Sequence, residues 1–218
     1  MPVKPLDPLS LVPGSSNLFT ARRGAARMMA ARLADGALAL YSPVPAPDSE
    51  AVDVARARGG VAAIIAPSPC HHLGIAAWMD AFPEASLCAP EGACDRLEKR
   101  LGVRPSAKMP SLVDGAAFLF PEGLKAPEVW LRAETADGVA WAVCDAFAGP
   151  AGTDDAPATE PKARGAFATM CLGDPPRYKA WALAQIERDQ PTQLFPAHGN
   201  RVAGTGLAMG LKDIVEGL

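Results

Sequence analysis

The sequence predicts an α/β protein built as a sandwich of two sheets with helices on the outside. Three observations carry that expectation. In the first half, apolar strand-like runs alternate with helical segments. The second half opens on successive strands and closes on helices. The length of 218 residues suits a single domain over 1–218, with a core large enough to need no disulfide or metal staple.

The elements follow in order. Within residues 18–48, two apolar stretches flank Asp35-Gly36, a hairpin turn signal. Residues 49–59 read as a short helix that Gly59-Gly60 can end. The continuous apolar run 60–67, closed by proline, has the pattern of a strand buried on both faces. After the irregular stretch 67–72 a helix is expected to run up to Pro83, then a strand at 85–90 and a helix at 91–102. Strands are expected at 116–120, 127–134 and 139–147, the last pair joined at Asp137-Gly138. Residues 148–163 are rich in small residues, proline and acid, and read as a flexible loop inside the domain. A helix at 177–189, a strand at 191–199 and a terminal helix complete the chain, which has no internal repeat of 20–50 residues.

Composition narrows the function classes. Twenty-one Lys plus Arg against 24 Asp plus Glu leave a net charge of −3, which speaks against a nucleic-acid binder. Five cysteines (Cys70, Cys88, Cys94, Cys144, Cys171), odd in number and with no C-x-x-C pair, argue against a disulfide framework and a zinc ribbon. No segment approaches the roughly 20 apolar residues of a membrane span. The first ten residues lack the apolar run of a signal peptide, so a cytoplasmic protein is expected, with a small-molecule ligand and neither nucleic acid nor membrane as partner.

Only three histidines are present, so the position of each is informative. His71 and His72 follow one predicted strand, and His198 follows another. Asp145 ends a third. Sites of layered α/β proteins gather in loops at the carboxyl ends of strands. Three imidazoles and a carboxylate there suit a divalent metal: zinc first, with iron or manganese as the other ions. Singly, each also reads as an ordinary loop histidine or turn aspartate. Cys70 neighbours the pair, although a buried cysteine is the commoner outcome, and Cys144 should face the core, opposite to Asp145. Lys162, Arg164, Arg177 and Tyr178 border the flexible loop; they read first as a solvated face, and alternatively as residues that meet an anionic substrate. No G-x-G-x-x-G or P-loop points to a nucleotide.

The order of strand, histidine-containing loop and helix, then Cys144-Asp145 after a strand, then Pro196-Ala197-His198-Gly199, resembles the metallo-β-lactamase-fold hydrolases. The resemblance implies a four-layer αβ/βα sandwich. It covers nearly the whole chain in element order, but the motifs are degraded. The family's His-x-His-x-Asp-His motif falls on Pro67, Pro69, His71 and His72, and its turn histidine on Leu124. One of the family's two metal sites therefore has no ligands left. The other keeps His71, His72, Asp145 and His198, with histidine in place of the motif's aspartate. The resemblance thus implies a divergent member with one divalent metal. It would activate water against a small ester, thioester, lactone or phosphoester, with no protein nucleophile. The alternative it leaves is an inactive binding or scaffolding module without metal.

Overall fold

A computed structural model describes residues 5–152 and 156–218. Its first sheet begins with three antiparallel strands, β1 (Ser10–Leu11), β2 (Leu18–Arg23) and β3 (Ala26–Arg32). β4 (Leu38–Tyr41) returns from β3 through the expected hairpin, where Asp35 Oδ1 accepts from Ala37 N–H at 3.0 Å. Helix α1 (Ser49–Ala57) starts on Asp48, whose side chain accepts from Ala51 N–H. It crosses to β5 (Val61–Ile65), parallel to β4. Helix α2 (Ile75–Ala81) leads to β6 (Ser86–Cys88), parallel to β5. The predicted helix 91–102 is a 3₁₀ turn, Glu91–Ala93, followed by α3 (Cys94–Leu101). The sequence reading missed β1 and β2, which lack a clean alternating pattern and are defined by pairing with β3.

The second sheet starts with the antiparallel meander β7 (Ala116–Leu119), β8 (Trp130–Thr135) and β9 (Gly138–Val143). The tight turn between β8 and β9 needs glycine at 138, where φ is +106°. β9 stops at Val143, short of the predicted 147, so Cys144 and Asp145 lie in a turn. A two-stranded ladder, β10 (Phe147–Ala148) with β11 (Lys162–Ala163), ties the two ends of the 148–163 stretch together. Ala158 also bridges to Val202. Residues 153–155 of that stretch lie outside the described residues. Helices α4 (Gly165–Met170) and α5 (Pro175–Asp189) follow, then β12 (Gln193–Pro196) parallel to β9, β13 (Val202–Ala203) and α6 (Leu207–Glu216).

The sheets run β1-β2-β3-β4-β5-β6 and β13-β12-β9-β8-β7. Three apolar layers hold them. Leu18, Met29, Tyr41 and Ile65 from the first sheet meet Leu131, Ala142 and Phe195 from the second. Ala51, Ala55, Trp78 and Leu97 pack the first-half helices on the outer face of the first sheet. Tyr178, Ile186, Leu207 and Leu211 pack the second-half helices against Trp130, Trp141 and Leu194. The order helix, sheet, sheet, helix is the expected four-layer sandwich. Among the described residues, no helix is long and apolar enough to cross a membrane.

Candidate metal centre

The parallel pairs place three loops at one edge of the sandwich. Tyr41 pairs with Ile65, so Ser42 and the loop 66–74 leave the first sheet side by side. Pro196 pairs with Val143, so Ala197-His198 and Cys144-Asp145 leave the second sheet side by side. Arg27 N–H donates to the Ala197 carbonyl at 3.2 Å, linking the two edges. Gly199 (φ +88°) lets the chain turn sharply after His198, and a Cβ there would run into the Gly149 carbonyl oxygen.

His71, Asp145 and His198 converge, with one ligand atom from each lying within 4.8 Å of the others. His71 Nε2 lies 3.4 Å from Asp145 Oδ2, and His198 Nε2 lies 3.5 Å from Oδ1. The two Nε2 atoms are 3.3 Å apart. His71 and Asp145 are largely covered, at 12% and 14% side-chain exposure, whereas His198 is 43% exposed and opens the cluster to solvent. Burial opposes ionisation of Asp145. Hydrogen bonds from His198 and His71 and the charges of His71 and Arg164 outweigh it, holding the carboxyl well below the usual carboxylate range.

The donor chemistry suits a metal ion. Tetrahedral zinc with bonds of about 2.0–2.1 Å holds its ligand nitrogens about 3.3–3.4 Å apart, and the imidazole pair stands at that separation. Two imidazoles and a carboxylate are also a catalytic-type set, because they leave a fourth position open. The second nitrogen of His71 is engaged too, with Nδ1 2.9 Å from Ser42 Oγ.

His72 is not in this cluster. Its Nδ1 meets the Cys70 carbonyl at 3.1 Å, and its Nε2 accepts from Arg100 at 3.0 Å. Partial burial, with the Arg100 charge next, lowers its pKa. Turns flank the pair on both sides, and of the two only His71 reaches Asp145 and His198. Arg164 departs from its predicted place on a solvated face: its guanidinium reaches Asp145 Oδ1 at 3.2 Å. Arg177 is exposed and pairs with Glu122, Lys162 is exposed, and Tyr178 is buried. Cys70 is exposed, whereas Cys144 is buried.

Glu128 is a site residue the sequence reading missed. It is 2% exposed, and its two carboxylate oxygens accept from Cys144 N–H at 2.8 Å and Asp145 N–H at 3.2 Å. It therefore holds the turn that carries Asp145. Burial, reinforced by the Asp145 charge, raises its pKa against the opposing Cys144 hydrogen bond. Its sequence signal, an acid ahead of the apolar strand run 129–131, is too common to have marked it.

Beside the cluster lies a cleft of about 150 Å³, lined by Pro43, Val44, Pro45 and Leu73 together with His71 and His198. The Pro67 carbonyl accepts from Val129 N–H at 2.8 Å, and Leu124 bridges to Leu172.

No protein-family model matches the sequence, and no curated protein matches it. Solved structures do. The DIM-1 metallo-β-lactamase superposes with a TM-score of 0.65 at 14% identity, over 99% of each chain. The chain has the metallo-β-lactamase fold. FIM-1 from Pseudomonas aeruginosa, a metallo-β-lactamase in a mono-zinc form, matches with a TM-score of 0.64 at 12% identity, over 99% of this chain and 97% of that one. A metallo-β-lactamase from Pontibacter korlensis matches at 0.63 and 11%, over 96% and 100%. At these identities the likeness is one of fold. Within the metallo-β-lactamase fold, the cluster sits where the loops of both sheets meet.

Proposed function

We propose that the protein is a mononuclear metal-dependent hydrolase acting on a small ester, thioester, lactone or phosphoester. The observation that carries this is the convergence of His71 Nε2, His198 Nε2 and the Asp145 carboxylate beside an open cleft. Those three residues would hold one divalent ion, zinc first, with iron or manganese as alternatives. Bound there, the ion would supply a Lewis acid and bring water's pKa to roughly 7, giving a nucleophile at neutral pH. The chain's own residues do the rest. His198 is the open side of the cluster, where a substrate carbonyl or phosphoryl group can approach. Pro43, Val44 and Leu73 take the apolar part of a small ligand. Arg164 offsets negative charge at Asp145 and lies close enough to meet charge developing on the substrate. The reading places the protein in the cytoplasm, with no nucleic acid or membrane partner. The mono-zinc form of FIM-1 supports a single ion on this fold.

One contact favours the second reading, a binding module without metal. The Arg164 guanidinium already sits 3.2 Å from Asp145 and can serve as the resident cation of that carboxylate. Elemental analysis separates the two. Protein grown with zinc, iron or manganese should carry about one ion per chain. That ion should be lost in His71→Ala, Asp145→Ala and His198→Ala, and kept in His72→Ala. Metal-free wild-type protein under all three conditions sinks the hydrolase reading. Turnover is then sought by screening metal-loaded protein against ester, thioester, lactone and phosphodiester substrates, and inactivity across the panel favours the binding module.

A further inference from the structure

Ser42 stands just beyond the end of β4, 7% exposed, with its Oγ 2.9 Å from His71 Nδ1. Its backbone is left-handed, with φ +53°, a conformation that costs an L-residue energy and persists where surrounding structure dictates it. That structure is visible. Ser42 N–H donates to Ile65 O at 3.1 Å, and Trp78 Nε1 donates to Val44 O at 2.9 Å. Gly74 packs so closely on Pro43 that a Cβ there would strike its carbonyl oxygen. Glycine would satisfy such a backbone more cheaply than serine. The turn alone therefore gives no reason for a side chain, and among the described residues the hydroxyl's one hydrogen-bond partner is His71.

Two roles for a hydroxyl beside a histidine and a carboxylate are distinguishable. As a nucleophile it would need nearby N–H donors for an oxyanion. Here Ser42 N–H is spent on Ile65 O, and residue 43 is proline, which has none. As a hydrogen-bond acceptor it needs only a proton on His71 Nδ1. A neutral imidazole with its proton on Nδ1 presents a lone pair at Nε2, the atom that faces Asp145 and His198.

We propose that Ser42 is the positioning residue of the metal centre: its hydroxyl accepts from His71 Nδ1–H and thereby fixes the ring and the tautomer that present Nε2 to the ion. This rests on the hydrolase reading for the presence of the ion, but it concerns affinity and not turnover. Partners of this kind typically change metal affinity 10–100-fold.

The test is zinc affinity of the purified full chain, measured by competition with a fluorescent chelator, alongside the melting temperature of the metal-free protein. Ser42→Gly removes the hydroxyl and suits the left-handed backbone, so the melting temperature should stay within about 2 °C of wild type. Its zinc affinity should fall at least tenfold. Ser42→Ala should lose as much affinity and, because it keeps the unfavourable φ of the wild type, should melt no higher than Ser42→Gly. A Ser42→Gly protein that binds zinc as wild type does overturns the role of Ser42 alone. A wild-type protein that binds none of zinc, iron and manganese overturns this role together with the hydrolase reading.

Discussion

Asp189 ends α5 with a side chain only 1% exposed, and it accepts from Trp141 Nε1 at 2.9 Å, Arg132 Nε at 3.0 Å and Arg188 Nε at 2.8 Å. Burial works against its charge, but the bonds from Arg188, Trp141 and Arg132 prevail and lower its pKa. A carboxyl depressed on folding takes up its proton more readily in the unfolded chain. Its contribution to stability is thus complete above the ordinary value of about 4 and is lost as pH falls through the lower folded value. Urea unfolding should show wild-type stability dropping below about pH 4, with a smaller drop in Asp189→Asn. At pH 7, Asp189→Ala should cost about 3 kcal/mol, since the indole N–H and the Arg132 guanidinium lose their acceptor. The three histidines show where single-residue reading works. Their scarcity and strand-end positions marked them all, and two of them meet at the cluster. Which of His71 and His72 turns inward depends on ring directions in an irregular loop, for which sequence has no periodicity to read.

At the scale of the element, local chemistry decides starts and stops. Asp174 caps α5 by accepting from Arg177 N–H at 3.1 Å, and Pro175 opens the helix where a missing N–H costs nothing. Asp174→Ala should lower stability by about 1 kcal/mol, seen by calorimetry as a melting temperature about 2–4 °C lower. Gly102 (φ +72°) ends α3 in the same local way. Such signals, at Gly59-Gly60, Asp35-Gly36 and Asp137-Gly138, made the end of α1 and both hairpins readable from the chain, whereas the sequence reading starts α5 at 177 and the helix begins two residues earlier, after its Asp174 cap. β2, whose run LFTARR alternates poorly, was not readable, because its strand state is settled by six register pairs with β3.

Across the whole molecule, the site depends on two sheets that contact each other through a thin apolar layer. Phe195 sits in that layer, 1% exposed, two residues before Ala197, with the Arg27 guanidinium 5.6 Å from its ring centre. Phe195→Ala should cost about 3–5 kcal/mol in chemical denaturation, because the cavity opens between sheets that cannot both collapse onto it. The same layer keeps His71, carried by the first sheet, against Asp145 and His198, carried by the second.

By itself the chain determined the α/β class, the paired half-structures with helices outside, and the small group of residues from which a metal site could be drawn. These depend on residue type and short-range spacing, which a linear reading contains. Tertiary structure alone decided that His71 and not His72 joins Asp145 and His198, that Glu128 bonds the Cys144-Asp145 turn, that Ser42 meets His71, and that Arg164 reaches the carboxylate. Each of those contacts joins residues on different loops, 16 or more positions apart in the chain. They form only when two sheets, paired in fixed register, bring their carboxyl ends to one edge.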